Sequence, residues 1–432
     1  MAFGFKEHPK GLQTLTWTMV GERFCYYGMQ AILTLYMVNV LFAHMGQEAS
    51  GAYAPKVYGY FRGLVYLMPL LGGYIADRYW GQRACVYVGA VLMGLGYMVL
   101  AIPGLAPFYI ALGIIVFGNG FFKPNATAML GGFYPPGDLR RDSAFTLFYM
   151  GINLGAFFSP LICGGIADWG AYRWAFLVAG VCMVFCLFVF WAGRRHLGEI
   201  GLVPAGRRQA HEKRQPLTRE ERQEVGVILL LTFFVMFFFM TFDQAGSSLT
   251  LLAEWNMDRT IFGFTIPTAW FQSVNPGFIL ILGVPFSKLW PWLAKRGKNP
   301  STPMKMFWGL VFAALATALM IPAGYIVTGG NKISMLWLVF CYFVFTVGEL
   351  CCSPIGLSMV TKLSPAKLVS LLMGVFFLAI SLANMAAGQL ASRLATMATE
   401  SFFLLLTAIT AVPAVVLLAF VKTLNRWSHG KA

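Results

Sequence analysis

The feature that most constrains this chain is the recurrence of long apolar stretches from one end to the other. A helix needs roughly 20 predominantly apolar residues to cross the hydrocarbon core of a bilayer. The stretches here reach that length repeatedly, so they predict membrane-spanning helices. We predict twelve spans, at about 14–42, 57–77, 84–103, 107–132, 145–166, 174–193, 225–252, 267–290, 304–327, 334–362, 369–396 and 400–421.

The composition supports an all-α polytopic membrane protein. Hydrophobic residues make up 58% of the 432 positions and charged residues 11%, whereas a soluble chain of this length would carry far more surface charge. The polar N-terminal stretch has no apolar core or small-residue cleavage site, so we expect no removed signal peptide. All eight cysteines fall in apolar spans without a CxxC spacing or a histidine partner. We therefore expect buried thiols, no disulfide, no metal site and no cofactor.

The net charge of +15 could suggest a nucleic-acid partner, but its distribution points to membrane topology instead. Basic residues cluster at 6–10, 78–83, 140–141, 194–222, 295–298, 362–367 and 422–431, and the intervening loops are nearly neutral. These clusters fall on alternate sides of the predicted spans. By the positive-inside rule both termini are expected in the cytoplasm, with the lipid bilayer and not nucleic acid as the partner.

One long basic loop divides the predicted spans into six and six. We therefore predict an N-terminal six-helix bundle at 1–193, a cytoplasmic linker at 194–224, and a C-terminal six-helix bundle with a short tail at 225–432. The sequence TREE, from Thr218 to Glu221, predicts a capping box before the seventh span. Two such halves are typical of transporters that work by alternating access around a site near the bilayer midplane.

Five ionisable residues lie well inside predicted spans, where a central charge costs about 2.5–3.5 kcal/mol on insertion scales. Arg23 and Lys123 supply cations in the first half, beside Glu22, whereas Asp243 and Glu349 supply carboxylates in the second. This division of sign predicts a zwitterionic ligand, held at its carboxylate by the cations and at its ammonium by Glu349. A structural ion-pair network that locks the bundle remains the alternative. Polar partners for such a ligand are available at Tyr27, Tyr66, Asn153 and Asn275.

Several motifs carry a family resemblance. GGYIADRYWGQR, between the second and third spans, resembles the loop signature of the major facilitator superfamily. HPKGLQTL, GERFCYYGM and GNGFFKPN, followed by FTLFYMGINLGAF, IPTAWFQSVNP and GELCCSPIGLSMVTKLSP, resemble the motifs of the proton-dependent oligopeptide transporter (POT) family in the same order. The matches run from His8 to about Gly388. The chain is identified on these motifs as a member of that family.

The resemblance implies a major facilitator fold and import of di- and tripeptides driven by a proton gradient. Phe239 and Phe376 stand where relatives often have tryptophan, which implies a slightly roomier aromatic pocket. Carried over position by position, the resemblance implies a peptide site made of Arg23, Tyr27, Tyr66, Lys123, Asn153, Asn275, Glu349 and Ser353.

Two departures from the family pattern concern proton coupling. Met19 replaces the first glutamate of the ExxER motif, and Gln30 replaces an arginine that in relatives pairs with the acid at Asp243. We predict that Arg62, near the outer start of the second span, pairs with Asp243 instead; the alternative is that Arg62 reaches the lipid headgroups. We also predict that Glu22 neutralises Arg23 when the site is empty. The residues expected to act in coupling or gating are Glu22, Arg23, Arg62, Lys123, Asp243 and Glu349.

Other functions remain open at this stage. A family member that carries another solute, such as nitrate or a modified amino acid, is one alternative, but a small anion would need only the cations and would leave Glu349 and Asn275 without a role. An uncoupled peptide transporter would fit the missing glutamate. A peptide sensor would be expected to have a larger cytoplasmic domain. A membrane enzyme is disfavoured because no GxSxG or HExxH motif occurs and all five histidines lie outside the spans. We expect a monomer in a bacterial inner membrane.

Overall fold

The computed structural model describes residues 8–134, 138, 140–204, 217–365 and 368–429, without the side chain of Asp142. The basic positions predicted at Lys6 and Lys367, the middle of the predicted linker, and Lys431 lie outside the described residues. Within the described ranges the chain is almost entirely helical. The α-helices are α1 Lys10–Tyr36, α2 Gln47–Ile75, α3 Gln82–Leu100, α4 Leu105–Gly131, α5 Arg140–Asp168, α6 Tyr172–Ala192, α7 Arg219–Phe242, α8 Ser248–Asn256, α9 Val274–Lys295, α10 Thr302–Thr328, α11 Met335–Leu363, α12 Val369–Ala391 and α13 Thr399–Trp427.

Extended structure among the described residues is limited to two short pairs. Strand β1, Met257–Asp258, runs parallel to β4, Ile333–Ser334. Strand β2, Thr260–Ile261, runs antiparallel to β3, Phe264–Thr265. These strands follow α8 or precede α11, so they tie loops together and do not form a sheet core. The predicted all-α architecture is confirmed.

Eleven helical segments of the described chain are long and apolar enough to cross a membrane. Helix α2 is not among them, although it is 29 residues long. Its sequence, QEASGAYAPKVYGYFRGLVYLMPLLGGYI, mixes tyrosines, glycines and Arg62 with its apolar residues, which lowers its mean hydropathy. The multi-pass membrane fold is therefore established, and the count of twelve spans stays a prediction.

The N-terminus of α7 has the capping box that the sequence predicts. The Thr218 side chain accepts a hydrogen bond from the backbone N–H of Glu221 at 3.2 Å. In return the Glu221 carboxylate accepts from the backbone N–H of Thr218 at 2.8 Å. Two of the donors that a helix start leaves without partners are thereby satisfied. The cap fixes where the linker ends and the seventh span begins.

The chain forms two compact units, which we call unit 1 and unit 2. Unit 1 comprises Met1–Leu41 and Leu64–Glu212, and unit 2 comprises Phe42–Gly63 and Lys213–Ala432. In unit 1, α3 packs along α4, and α1 packs against both α5 and α6. A Cβ atom added to Gly89 would lie 2.6 Å from the carbonyl oxygen of Gly118. Only glycine allows the α3 and α4 backbones to come so close, as helix packing in lipid requires.

In unit 2, α10 packs against α11 and α13, and α12 packs against α7. The first half of α2, up to Gly63, also belongs to this unit. A Cβ atom on Gly59 would lie 2.6 Å from the Cα atom of Gly388 on α12. The two backbones therefore meet at a pair of glycines, which brings the polar side chains of this part of α2 into the interior of unit 2.

The segment predicted as one span at 225–252 is interrupted. Helix α7 ends at Phe242, a 3₁₀ turn covers Asp243–Gly246, and α8 begins at Ser248. Ser247 has a non-helical backbone, with φ −129° and ψ −93°. Gly246 lies so close to the Tyr58 ring that any Cβ would collide with it. The tight packing of α2 against this turn explains the break, which periodicity alone does not predict because the segment is apolar on both sides of it.

Candidate functional site

The first group of predicted site residues lies on α1. Arg23 is only 2% exposed and Glu22 is fully buried. The Arg23 guanidinium donates from Nε to one Glu22 carboxylate oxygen and from Nη2 to the other, both at 2.6 Å. Its Cζ atom lies 5.1 Å from the Tyr26 ring centroid and 5.8 Å from that of Tyr27. The cation is therefore compensated by a bidentate carboxylate and two aromatic faces, which offsets the cost of burying it.

The ion pair between Glu22 and Arg23 is the contact that the sequence predicts for the protein without substrate. Glu22 and Arg23 are neighbours in sequence, so their pairing needs no movement of another helix. Met19, one turn earlier, is 1% exposed and has no titratable group. The paired carboxylate of α1 is thus Glu22, and its partner is Arg23.

Lys123 lies on α4 and meets Tyr66 of α2 within unit 1. The Lys123 ammonium is 4.7 Å from the centroid of the Tyr66 ring, a cation–π contact. Pro124 follows directly in the helix and has no backbone N–H to donate. Lys123 and Tyr66, two residues predicted separately for the substrate site, are therefore in contact, on helices that the sequence separates by a span.

Asn153 completes the predicted residues of unit 1. It lies on α5, the helix that packs along α1, and is 5% exposed. Its side-chain amide donates to the carbonyl oxygen of Tyr149, one turn earlier, at 2.9 Å. The side-chain carbonyl of Asn153 keeps its capacity to accept a hydrogen bond.

In unit 2 the structure joins Asn275 of α9 to Glu349 of α11. The Asn275 amide nitrogen donates to a Glu349 carboxylate oxygen at 2.9 Å and to the Thr346 hydroxyl at 2.9 Å. Thr346 is one turn before Glu349 and donates to the carbonyl of Tyr342 at 2.7 Å. Both amide protons of Asn275 are thereby used. The second carboxylate oxygen of Glu349 can still accept a proton or a ligand ammonium.

The remaining predicted residues of unit 2 lie on three helices. The Ser353 hydroxyl, one turn after Glu349, is buried and has no hydrogen-bond partner within the described ranges. Phe376 of α12 is 3% exposed and faces α11, where a Cβ on Gly356 would lie 3.2 Å from its ring. Phe239 of α7 is half-buried and touches the ring of Phe238 edge-on, with centroids 5.5 Å apart. Ser353 and Phe376 thus lie on the facing helices α11 and α12, whereas the contact described for Phe239 stays within α7.

Arg62 and Asp243 form an ion pair inside unit 2. The Arg62 guanidinium donates from Nε at 3.0 Å and from Nη2 at 2.7 Å, both to Oδ1 of Asp243. The side chains are 10% and 4% exposed. The other carboxylate oxygen, Oδ2, is buried without a hydrogen-bond partner in the part of the chain that the structure describes. The predicted contact is present, and burial of Arg62 argues against its reaching lipid headgroups; its gating role stays a prediction.

One cluster of thiols was not predicted from the sequence. Cys25, Cys182 and Cys186 converge in unit 1, with their sulfur atoms within 4.8 Å of one another. The cluster has no CxxC or histidine spacing, because its third thiol comes from a different helix. The one signal in the sequence is the spacing of Cys182 and Cys186, four residues apart, which places them on one helical face.

Paired charges buried among helices long enough to cross a membrane are typical of proteins that move solutes or ions, secondary transporters among them. The model of the POT family matches residues 83–205 and 208–410. The chain belongs to the POT family. The predicted resemblance and the major facilitator fold class are confirmed, and the enzyme alternative is wrong because the family and its relatives are transporters.

Two relatives and one solved structure illustrate the similarity. The chain is 34% identical over 448 residues to the peptide transporter YePEPT of Yersinia enterocolitica subsp. palearctica serotype O:3 (strain YE-P4), covering 89% of this chain and 88% of the relative. It is 32% identical over 481 residues to a di-/tripeptide transporter of Lactococcus lactis subsp. cremoris, covering 97% and 96%. A crystal structure of a mutant of the peptide transporter POT with alafosfalin is 33% identical, with a TM-score of 0.87 over 98% of this chain and 96% of that one.

Proposed function

We propose that this chain is a secondary transporter that imports di- and tripeptides by alternating access. The observation that carries the proposal is the chemistry of the two units. Unit 1 holds the cations Arg23 and Lys123, each against tyrosine rings. Unit 2 holds the carboxylate of Glu349, oriented by Asn275. Each unit therefore supplies one half of what a zwitterionic peptide requires.

In this proposal the substrate carboxylate replaces Glu22 as a partner of Arg23. This exchange keeps Arg23 paired with a carboxylate, and a buried arginine without a partner would cost several kcal/mol. The displaced Glu22 carboxylate then needs another hydrogen-bond donor. Lys123 acts as a second cation at the same end of the peptide, and Asn153 and Tyr27 add hydrogen bonds. Glu349 receives the amino terminus. The Ser353 hydroxyl one turn later has no hydrogen-bond partner among the residues that the structure describes, so it can bind the substrate as well.

Proton coupling is the part of the proposal that the departures at Met19 and Gln30 affect. Met19 cannot titrate, and both carboxylate oxygens of Glu22 already accept hydrogen bonds from Arg23. Asp243 and Glu349 are therefore the proposed protonation sites. At Asp243 a proton can add to Oδ2, which has no partner within the described ranges, while Oδ1 accepts from Arg62. An uncoupled peptide transporter is the competing version.

The remaining parts of the proposal follow from charge and chain organisation. We propose a monomer in a bacterial inner membrane with both termini in the cytoplasm, as the basic loops indicate. We keep the predicted organisation of two six-helix bundles, 1–193 and 225–432, joined by the linker at 194–224. Protons and short peptides are the proposed partners, and no cofactor is needed.

Counterflow in proteoliposomes tests the substrate, and uphill accumulation tests the coupling. Vesicles loaded with unlabelled dipeptide should take up labelled dipeptide, and vesicles loaded with nitrate should not exchange labelled nitrate. With an inward proton gradient, labelled dipeptide should accumulate above its outside concentration. Asp243→Asn should keep counterflow and lose accumulation. Counterflow without accumulation by the unaltered protein would support the uncoupled version, and exchange of nitrate alone would refute peptide transport.

A further inference from the structure

Three thiols meet inside unit 1 at a place that the proposed transport cycle does not use. Cys25 projects from α1, and Cys182 and Cys186 project from one face of α6. Each pair of sulfur atoms lies within 4.8 Å. Cys25 and Cys186 are buried, whereas Cys182 is half-buried. All three are free thiols, and the cluster includes no nitrogen or oxygen ligand.

The surroundings hold the thiols together. Gly21 of α1 lies so close to the Cys186 sulfur that any Cβ at this position would collide with it. The absence of a side chain at Gly21 therefore allows the thiol to pack directly against α1. Tyr97 of α3 is fully buried. The Tyr97 hydroxyl has no hydrogen-bond partner among the residues that the structure describes.

Three thiols without other ligands suit a soft metal or metalloid ion that binds three sulfur atoms. Sulfur ligands select thiophilic ions over hard ones. A pyramidal three-sulfur centre with bonds of about 2.3 Å and bond angles of about 95° places its sulfur atoms about 3.4 Å apart. The three sulfur atoms here all lie within 4.8 Å of one another. Small side-chain adjustments would close the site.

The charge of the bound ion decides which ion the three thiolates hold best. Three thiolates carry three negative charges, so a divalent ion would leave one uncompensated charge in a low-dielectric interior. The nearby cation Arg23 is already engaged by Glu22. A trivalent ion with three thiolates forms a neutral complex, so its burial does not carry the cost of burying an uncompensated charge.

We propose that Cys25, Cys182 and Cys186 form a binding site for trivalent arsenic, entering as neutral arsenous acid by way of half-buried Cys182. Three As–O bonds break and three As–S bonds form. Each thiol proton leaves with one hydroxyl group as water, so no oxidant or reductant is needed. The product cross-links α1 to α6 and restrains the helix that carries Arg23.

Binding of arsenite to the purified full-length protein in detergent tests the site directly. After desalting, we expect one arsenic atom per chain by elemental mass spectrometry. Alkylation of the denatured protein should then show three of the eight cysteines protected, and peptide mapping should identify them as the three in the cluster. This mapping uses the unaltered chain, so it does not depend on whether a variant folds.

Variants give the second arm of the test. Cys25→Ser and Cys186→Ser should each weaken arsenite binding at least tenfold. Cys163→Ser is the matched control, because Cys163 is also buried in unit 1 and lies outside the cluster; it should bind as the unaltered protein does. Thermal melting checks that each variant is folded.

Three outcomes would overturn the proposal. Protection of the adjacent pair Cys351 and Cys352 in place of the cluster would assign the arsenic elsewhere. Unchanged binding by folded Cys186→Ser would exclude the three-thiol site. Tighter binding of Cd²⁺ than of arsenite would refute the charge argument. None of these readouts involves transport, so failure here and failure of the proposed peptide import are distinguishable.

Discussion

The buried pair of Arg62 and Asp243 should be energetically coupled, and a double-mutant cycle measures the coupling. Arg62→Gln removes the cation and leaves a carboxylate that is 4% exposed. Asp243→Asn removes the anion and leaves a guanidinium that is 10% exposed. Each single substitution therefore leaves an unpaired charge in the interior of unit 2. The double substitution leaves no unpaired charge at this place, because both partners are removed.

The structure sets the expected magnitude. With charge centres about 4 Å apart and an effective dielectric constant of about 20, the attraction is about 4 kcal/mol. Removing one partner of a buried pair costs about 3–5 kcal/mol, because the other charge stays desolvated. We expect the single variants to lose about 3 kcal/mol each and the double variant about 4 kcal/mol, so the coupling free energy is about 2 kcal/mol, within the range for residues in contact.

Reversible unfolding in mixed detergent micelles gives these free energies, and dipeptide counterflow gives a parallel cycle in transport. Arg393→Gln is the matched control, because Arg393 belongs to unit 2 but is exposed. Combined with Asp243→Asn, it should be additive within about 0.5 kcal/mol.

Additive effects of Arg62→Gln and Asp243→Asn would refute the reasoning. The contact would then contribute nothing, and Arg62 would be acting as an anchor toward the lipid headgroups. The cycle could give a coupling free energy above about 1 kcal/mol in stability but none in transport. That result would support the ion pair and contradict its role in gating.

Three further predictions concern the ends of the substrate and the start of α7. Glu349→Gln should abolish dipeptide counterflow while the protein stays folded, because a neutral amide cannot pair with the amino terminus; normal uptake of free and N-acetylated peptides by this variant would contradict the assignment. Arg23→Ala and Lys123→Ala should each weaken binding of free dipeptides far more than binding of peptide amides, and equal losses would favour the structural ion-pair network. Thr218→Ala should destabilise unit 2 by about 1 kcal/mol through loss of the capping box, measured by unfolding in detergent, with Thr361→Ala, an exposed threonine near the end of α11, as the neutral control.

The sequence alone determined the class of fold and most of the spans. Lipid accepts only long apolar helices with internally paired backbones, so hydropathy and length are sufficient to find them. Local chemistry was equally readable: Thr218 and Glu221 form their capping box within four residues, and Glu22 and Arg23 pair as neighbours. These features depend on residues adjacent in sequence, where no knowledge of the fold is needed.

The break at Asp243 could not be predicted in this way. The residues on both sides of it are apolar, so the pattern reads as one continuous span. The interruption follows from Tyr58 of α2 packing against Gly246, a contact between segments nearly two hundred positions apart. Likewise, the family pattern suggested a missing partner for Asp243, but only the packing of α2 into unit 2 places Arg62 within hydrogen-bond distance of it.

The pairing of buried polar groups is therefore what the tertiary structure decided. The sequence determined which residues are titratable and that they lie in the membrane, since composition and span boundaries are local properties. It did not determine that Asn275 orients Glu349, that Lys123 meets Tyr66, or that Cys25 joins Cys182 and Cys186. Each of these contacts joins different helices, and their relative rotation and depth are set by side-chain packing over the whole helix surface, a property that no single stretch of sequence contains.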